Sequence, residues 1–156
     1  MKIVIQRVIQ AQVSVGSRIV GKIGPGALIF LGVGKGDTEK DADFLADKVV
    51  ELRMFADAEG KMNVSGRDAG AVFLVVSQFT LYGNCDKGRR PSFDDAASPV
   101  EAEKLYEYFV ERLRRKGVKT ETGEFRAMME VSLINDGPVT FILESLGAPQ
   151  QKYVSH

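Results

Sequence analysis

From Ile3 the chain alternates. Ile3, Ile5, Ile9, Ala11, Val13 and Val15 fall in one phase, while Gln6, Gln10, Gln12 and Ser14 fall in the other. A period of two predicts a strand with one buried face. Arg7 sits in the apolar phase and has two readings. Its stem packs at a strand end while its head reaches water, or its guanidinium points inward and donates to carbonyls that lack partners. The stretch VGSRIVGKIGPGALIFLGV predicts a turn, a short strand, a Gly-Pro-Gly turn and a buried strand through Ile29, Phe30 and Leu31. Ala42, Leu45, Ala46, Val49 and Val50 recur at helical spacing behind Asp37 or Thr38 as N-cap. After a turn-rich segment, AVFLVV (71–76) is wholly apolar and glycine-bounded, as an interior strand is. Ser98-Pro99-Val100-Glu101 is a capping box with proline at the first helical position. The helix it starts buries Ala102, Leu105, Tyr106, Phe109 and Leu113 and stops at Gly117. Strands are predicted again at 118–125, 128–134 and 139–143. The last two flank Asn135-Asp136-Gly137-Pro138, a sequence that reads as a tight turn.

These elements fit one compact α/β (α+β) domain over residues 1–145. Residues 146–156 carry no pattern and are expected to form a flexible tail. At 156 residues the chain can bury a full core, about 68–70% of its unfolded surface. The formal net charge is zero, so any nucleic-acid contact must come from local basic clusters. Lys87, Arg89 and Arg90 form one in a loop; Arg112, Arg114, Arg115 and Lys116 form another at a helix C-terminus, where cations also suit the macrodipole. Cys85 is the only cysteine and His156 the only histidine. An internal disulfide, a multi-thiolate metal site and a His-based triad are therefore not expected. No apolar run approaches the roughly 20 residues that span a bilayer, and the N-terminus lacks a signal-peptide pattern. A reduced, cytoplasmic location without membrane attachment is expected.

Chemistry concentrates in two places. The buried strand runs into SQFTLYG, placing Ser77, Gln78 and Thr80 at its exit. Without a histidine base a hydroxyl there is a weak nucleophile, whereas backbone N–H groups in such a bend can stabilise an oxyanion. From the residues alone, the Ser and Thr groups read more simply as caps of the strand end. The second place is Gly137-Pro138. Either it is an edge-strand turn, or it holds a cis bond whose two carbonyls face the same way as rigid acceptors for an ammonium group.

At these residues the sequence resembles the D-aminoacyl-tRNA deacylases, D-tyrosyl-tRNA deacylase-like proteins. The carriers are IQRV, GPGALIFLGV, SQFTLYG, KGRRPSF and MMEVSLINDGPVTF, across roughly residues 1–145. The resemblance implies a mostly antiparallel or mixed sheet forming a roll or barrel with two main helices. It implies hydrolysis, without metal or cofactor, of the ester joining a D-amino acid or glycine to the terminal adenosine of tRNA. Homodimers with shared active sites are implied, Gly137 and Pro138 of one subunit reaching the other and excluding L-amino acids, with Arg7 bracing them. Ser77, Gln78, Phe79 and Thr80 match the catalytic segment, the Phe79 and Thr80 N–H groups being oxyanion donors. Phe125 and Met129 match the adenosine pocket, and Lys87, Arg89 and Arg90 would meet tRNA phosphates. Thr80 is either the nucleophile or a bystander to water assisted by the ribose 2′-hydroxyl; the lack of a usable histidine favours the second. Two other classes compete: a non-catalytic RNA-end binding module, and a structural dimer whose Gly-Pro loop is only an interface turn.

Overall fold

The first strand sets the frame. In the computed structural model, which describes residues 1–145, β1 (Lys2–Val15) pairs from Lys2 to Ser14, with two interruptions, with the last strand, β8 (Glu130–Glu144). Its other edge is shared: residues 11–15 pair with β2 (Arg18–Ile23) and residues 2–8 with β3 (Gly26–Gly32). From β3 the sheet continues in parallel through β6 (Val72–Ser77) to β7 (Thr120–Thr122). The parallel steps require crossovers, and two helices supply them. These are α1 (Glu39–Glu51) between β3 and β6, and α2 (Pro99–Arg115) between β6 and β7. A small hairpin, β4 (Phe55–Ala56) with β5 (Met62–Val64), follows α1.

Both helices begin as the sequence predicts. Thr38 caps α1, its N–H donating to the Asp41 carboxylate at 2.8 Å. The Ser98 hydroxyl donates to Glu101 at 2.9 Å at the head of α2. Their apolar faces cover one side of the sheet, where Leu45, Val49, Phe109 and Leu113 pack on Ile3, Ile5, Ile29, Phe73 and Val75. The sheet curls so that its opposite face encloses a second core of Val8, Ala11, Val13, Ile23, Leu28, Leu74 and Val76, closed by Met129, Val131 and Leu133. The curl brings β2 against β7. A Cβ on Gly21 would lie 2.3 Å from the Thr122 carbonyl oxygen, so only glycine permits that approach. The result is a nearly closed mixed sheet with two helices, as the motifs implied. At the open end, the buried Met1 amine contacts Asp37 at 2.7 Å and the Ser145 hydroxyl at 2.9 Å.

Three expectations change. The strand predicted at 118–125 is confined to β7, Thr120–Thr122. Ile9, assigned to the buried phase of β1, is exposed, and Val8 is buried instead. The β1–β8 register shifts between Gln6 and Val8 and again between Val8 and Gln10; these two irregularities displace the alternation and then restore it at Ala11 and Val13. The predicted strands 128–134 and 139–143 are halves of one strand. Asn135 pairs with Val8 and Thr140 with Gln6, so Asp136–Val139 bulge out of β8 opposite Arg7 alone. No hairpin forms there. The segment 146–156, expected to be a flexible tail, lies outside the described residues.

Candidate active site

Strand β6 ends in polar residues because its apolar run ends. Ser77 pairs with Leu31, and the Gln78 N–H donates to the Leu31 carbonyl at 2.8 Å. The chain then tightens into a 3₁₀ turn, Phe79–Tyr82. Leu81 N–H bonds to the Gln78 carbonyl at 3.3 Å and Gly83 N–H to Thr80 at 2.9 Å. The N–H groups of Phe79 and Thr80, at the head of the turn, have no backbone acceptor among the described residues, as expected of a helix N-terminus. The Gln78 amide donates to the Thr80 hydroxyl. Tyr82 anchors the far end of the turn. Its ring carries the Lys2 ammonium 4.6 Å from its centroid. Burial, with Asp37 beside it, pushes the phenol above its ordinary value.

A cavity of about 690 Å³ opens against this bend, lined by Ser77, Gln78 and Phe79 on one side and by Phe125, Met129 and Val131 on another. Its walls are largely apolar, with polar groups at one edge, the usual make-up of a small-molecule site. Phe93 completes the rim, its ring edge-on to Phe79 with centroids 5.0 Å apart. Behind Phe93 the segment is pinned twice. Asn84 and Ser92 exchange backbone hydrogen bonds of 2.7 and 2.9 Å, and the Ala97 N–H donates to Val33 at 3.0 Å. Lys87, Arg89 and Arg90 are exposed on the loop that the Asn84–Ser92 bridge closes.

Gly137 and Pro138 sit elsewhere on this chain. They are exposed on the β8 bulge, do not line that cavity, and are joined by a cis peptide bond. Two side chains, Asn135 and Arg7, hold the corner, and Arg7 is itself anchored on Met54. The Asn135 side-chain oxygen accepts from Val139 N–H at 2.8 Å. Arg7 Nε donates to the Asp136 carbonyl at 3.1 Å and lies 3.3 Å from the Asp136 carboxylate. Arg7 Nη1 donates to the Met54 carbonyl at 2.6 Å. Of its two sequence readings, the inward guanidinium is therefore the one realised. Gly137 has φ +133, and a Cβ there would meet Val139 Cγ2 at 2.7 Å and Arg7 Nη2 at 3.2 Å.

Over residues 4–144 the chain matches the family model described as D-Tyr-tRNA(Tyr) deacylase. The chain belongs to that family. The D-aminoacyl-tRNA deacylase of Pelobacter propionicus is 60% identical over 144 residues, 92% of this chain and 99% of the relative. That of Thermosipho melanesiensis is 57% identical over 146 residues, 93% and 97% of the two chains. Among solved structures, a c-Myc DNA unwinding element binding protein superposes with a TM-score of 0.88 at 40% identity, covering 93% of this chain and 99% of that one. A probable eukaryotic D-amino acid tRNA deacylase gives 0.78 at 17% identity over 92% and 98%, a likeness of fold. The deacylase resemblance read from SQFT and GPVT thus holds for nearly the whole described chain.

Of the residues the motifs singled out, the fold gathers Ser77, Gln78, Phe79, Phe125 and Met129 around one cavity. Thr80 stands beside it in the same turn. Arg7, Gly137 and Pro138 form a second group on β8, and the loop cations a third. Sequence reasoning left three features unassigned: Phe93, the Met54 carbonyl that receives Arg7, and Arg126 at the cavity edge. Phe93 lay inside the quoted KGRRPSF motif, but nothing in its spacing marks a partner for Phe79.

Proposed function

We propose that the protein hydrolyses the ester between a D-amino acid, or glycine, and the 3′-terminal adenosine of tRNA. The deacylase domain is taken as residues 1–145. The observation that carries the proposal is the pair of unengaged N–H groups at Phe79 and Thr80 beside an apolar-walled cavity. The adenosine enters between Phe125 and Met129, which sets its acylated ribose against the 77–80 bend. There the two N–H groups receive the carbonyl oxygen as it becomes an oxyanion. Water attacks with help from the ribose 2′-hydroxyl, and the protein supplies placement. This needs neither metal nor cofactor, and no side chain acting as base. Thr80, tied to the Gln78 amide, orients the bend rather than attacking.

Chirality is read by Gly137 and Pro138 of a second copy. Their carbonyls hold the α-amino group, so an L side chain collides with the corner, whereas a D side chain points away and glycine has nothing to reject. Two features support a homodimer with shared sites. The corner is exposed on its own chain and braced from behind by Arg7. Strand β8 has 15 residues and pairs only with β1 among the described strands, leaving an open edge of the kind that recruits another chain. Ile134 and Ile142 are exposed beside it. Lys87, Arg89 and Arg90 meet tRNA phosphates further from the ester. A cytoplasmic protein of translation quality control is the setting this implies.

The test is hydrolysis of matched D- and L-aminoacyl-tRNA pairs under multiple turnover. Release of the D-amino acid alone is expected. Gly137→Ala, whose Cβ has no room, is expected to lower the D rate by about tenfold or more. Equal wild-type rates on both esters would remove the chiral filter. Tight tRNA binding without turnover would leave only an RNA-end binding module.

A further inference from the structure

Arg126 occupies a position that does not suit it. It is the third residue of a turn in which the Ala127 N–H donates to the Glu124 carbonyl at 3.2 Å. There it has φ +66, alone among non-glycine residues with positive φ in the described chain. Glycine takes that conformation freely and asparagine nearly so, while a long β-carbon-bearing side chain pays in backbone strain. Strain of this kind clusters at active sites and ligand clamps. The turn stands at the cavity edge, with Phe125 before Arg126 and Met129 three residues after it, and Arg126 itself lines the opening and is exposed.

Its charge is also unspent. Outside the 84–92 loop, every other arginine engages a side chain or carbonyl: Arg7, Arg18, Arg53, Arg67, Arg112, Arg114 and Arg115. Arg126 has no hydrogen bond or ion pair among the described residues, and the nearby Glu124 carboxylate is taken by Arg18 at 2.9 Å. A guanidinium held at a cavity mouth without an internal anion suits an external one.

We infer that Arg126 binds the phosphodiester on the 5′ side of the terminal adenosine, the phosphate one ribose away from the base held by Phe125 and Met129. This rests on the deacylase reading and adds a substrate contact to it. The guanidinium anchors the end of the RNA at the cavity mouth, while the loop cations reach phosphates beyond.

The experiment compares D-aminoacyl-adenosine, which carries no phosphate, with the same ester bearing a 5′-phosphate, on wild-type protein and on Arg126→Gly. For the wild type, the phosphate is expected to lower KM by about tenfold, the size of one charge-assisted contact. Arg126→Gly should erase that advantage, bringing the KM values of the two esters together, and melt no lower than wild type because the left-handed position is relieved. Arg126→Lys should keep part of the advantage. Survival of the phosphate preference in Arg126→Gly overturns the inference while leaving the deacylase reading intact. So does an equal loss on both esters, which marks a structural role. Failure of the wild type to hydrolyse either ester overturns the inference, and failure on D-aminoacyl-tRNA as well overturns the deacylase reading with it.

Discussion

Arg7 illustrates how far one residue can be read from its neighbours. The pattern fixed only that it lay out of place; which carbonyls it would serve depended on Met54 and Asp136, 47 and 129 residues away in sequence. Its planar fork reaches both at once, which an ammonium cannot do. Arg7→Lys is therefore expected to cost about 1–3 kcal/mol of stability despite the retained charge, because a buried carbonyl loses its donor. Chemical unfolding of the two proteins checks this, and an unchanged midpoint would mean that the bracing is incidental. Gly137 was legible for a different reason. Its demand is local, a backbone angle and a missing Cβ, and local demands leave their mark in the sequence.

Elements were legible where their signals were strong and self-contained. Both helices start where their caps indicate, at Thr38, one of the two N-caps the sequence offered, and at Ser98, because capping is settled within four residues. The buried strand 71–76 emerged from its unbroken apolar run. The errors fell where one strand answers to another. The displacement of Ile9 and Val8 comes from the shifted register with β8, and the supposed hairpin at 135–138 is a bulge because β1 pairs on both sides of it. Neither partner is visible in a window of ten residues. The same scale governs Phe93, which ties the 84–92 hairpin to the 79–82 turn by a ring contact. Phe93→Ala should slow the single-turnover rate by about tenfold through a loosened turn, while Tm falls only a few degrees for so exposed a ring. Phe93→Tyr should retain most of the rate. A fall in Tm without a change in rate would reduce the contact to packing.

For the whole molecule, the fold class followed from the alternation of strands and helices, but the assembly of the site did not. Residues 77–79, 93 and 125–129 converge only because β6 lies between β3 and β7 and α2 carries the chain back across the sheet. That packing also sets an alkaline limit. Burial raises the Tyr82 and Tyr106 phenols above 10.0, and Tyr106 donates to the Val75 carbonyl at 2.8 Å. Below pH 10 both states keep these protons. Above it the unfolded chain releases protons that the folded chain retains, so stability falls as pH rises. Melting curves between about pH 8 and pH 11 should decline more steeply for the wild type than for Tyr106→Phe. Equal slopes would place the titration elsewhere.

The pairing of β1 with β8 has a consequence for how the protein is made. Residues 2–15 leave the ribosome long before residues 130–144, yet one edge of that strand waits for those later residues to be translated. Until then the nascent chain can finish its β2 and β3 contacts but must carry an unsatisfied backbone edge through the synthesis of more than a hundred further residues. A message cut short before β8 therefore yields a chain missing the final stave of its sheet, and such a chain is a substrate for chaperones and proteases rather than a smaller working enzyme.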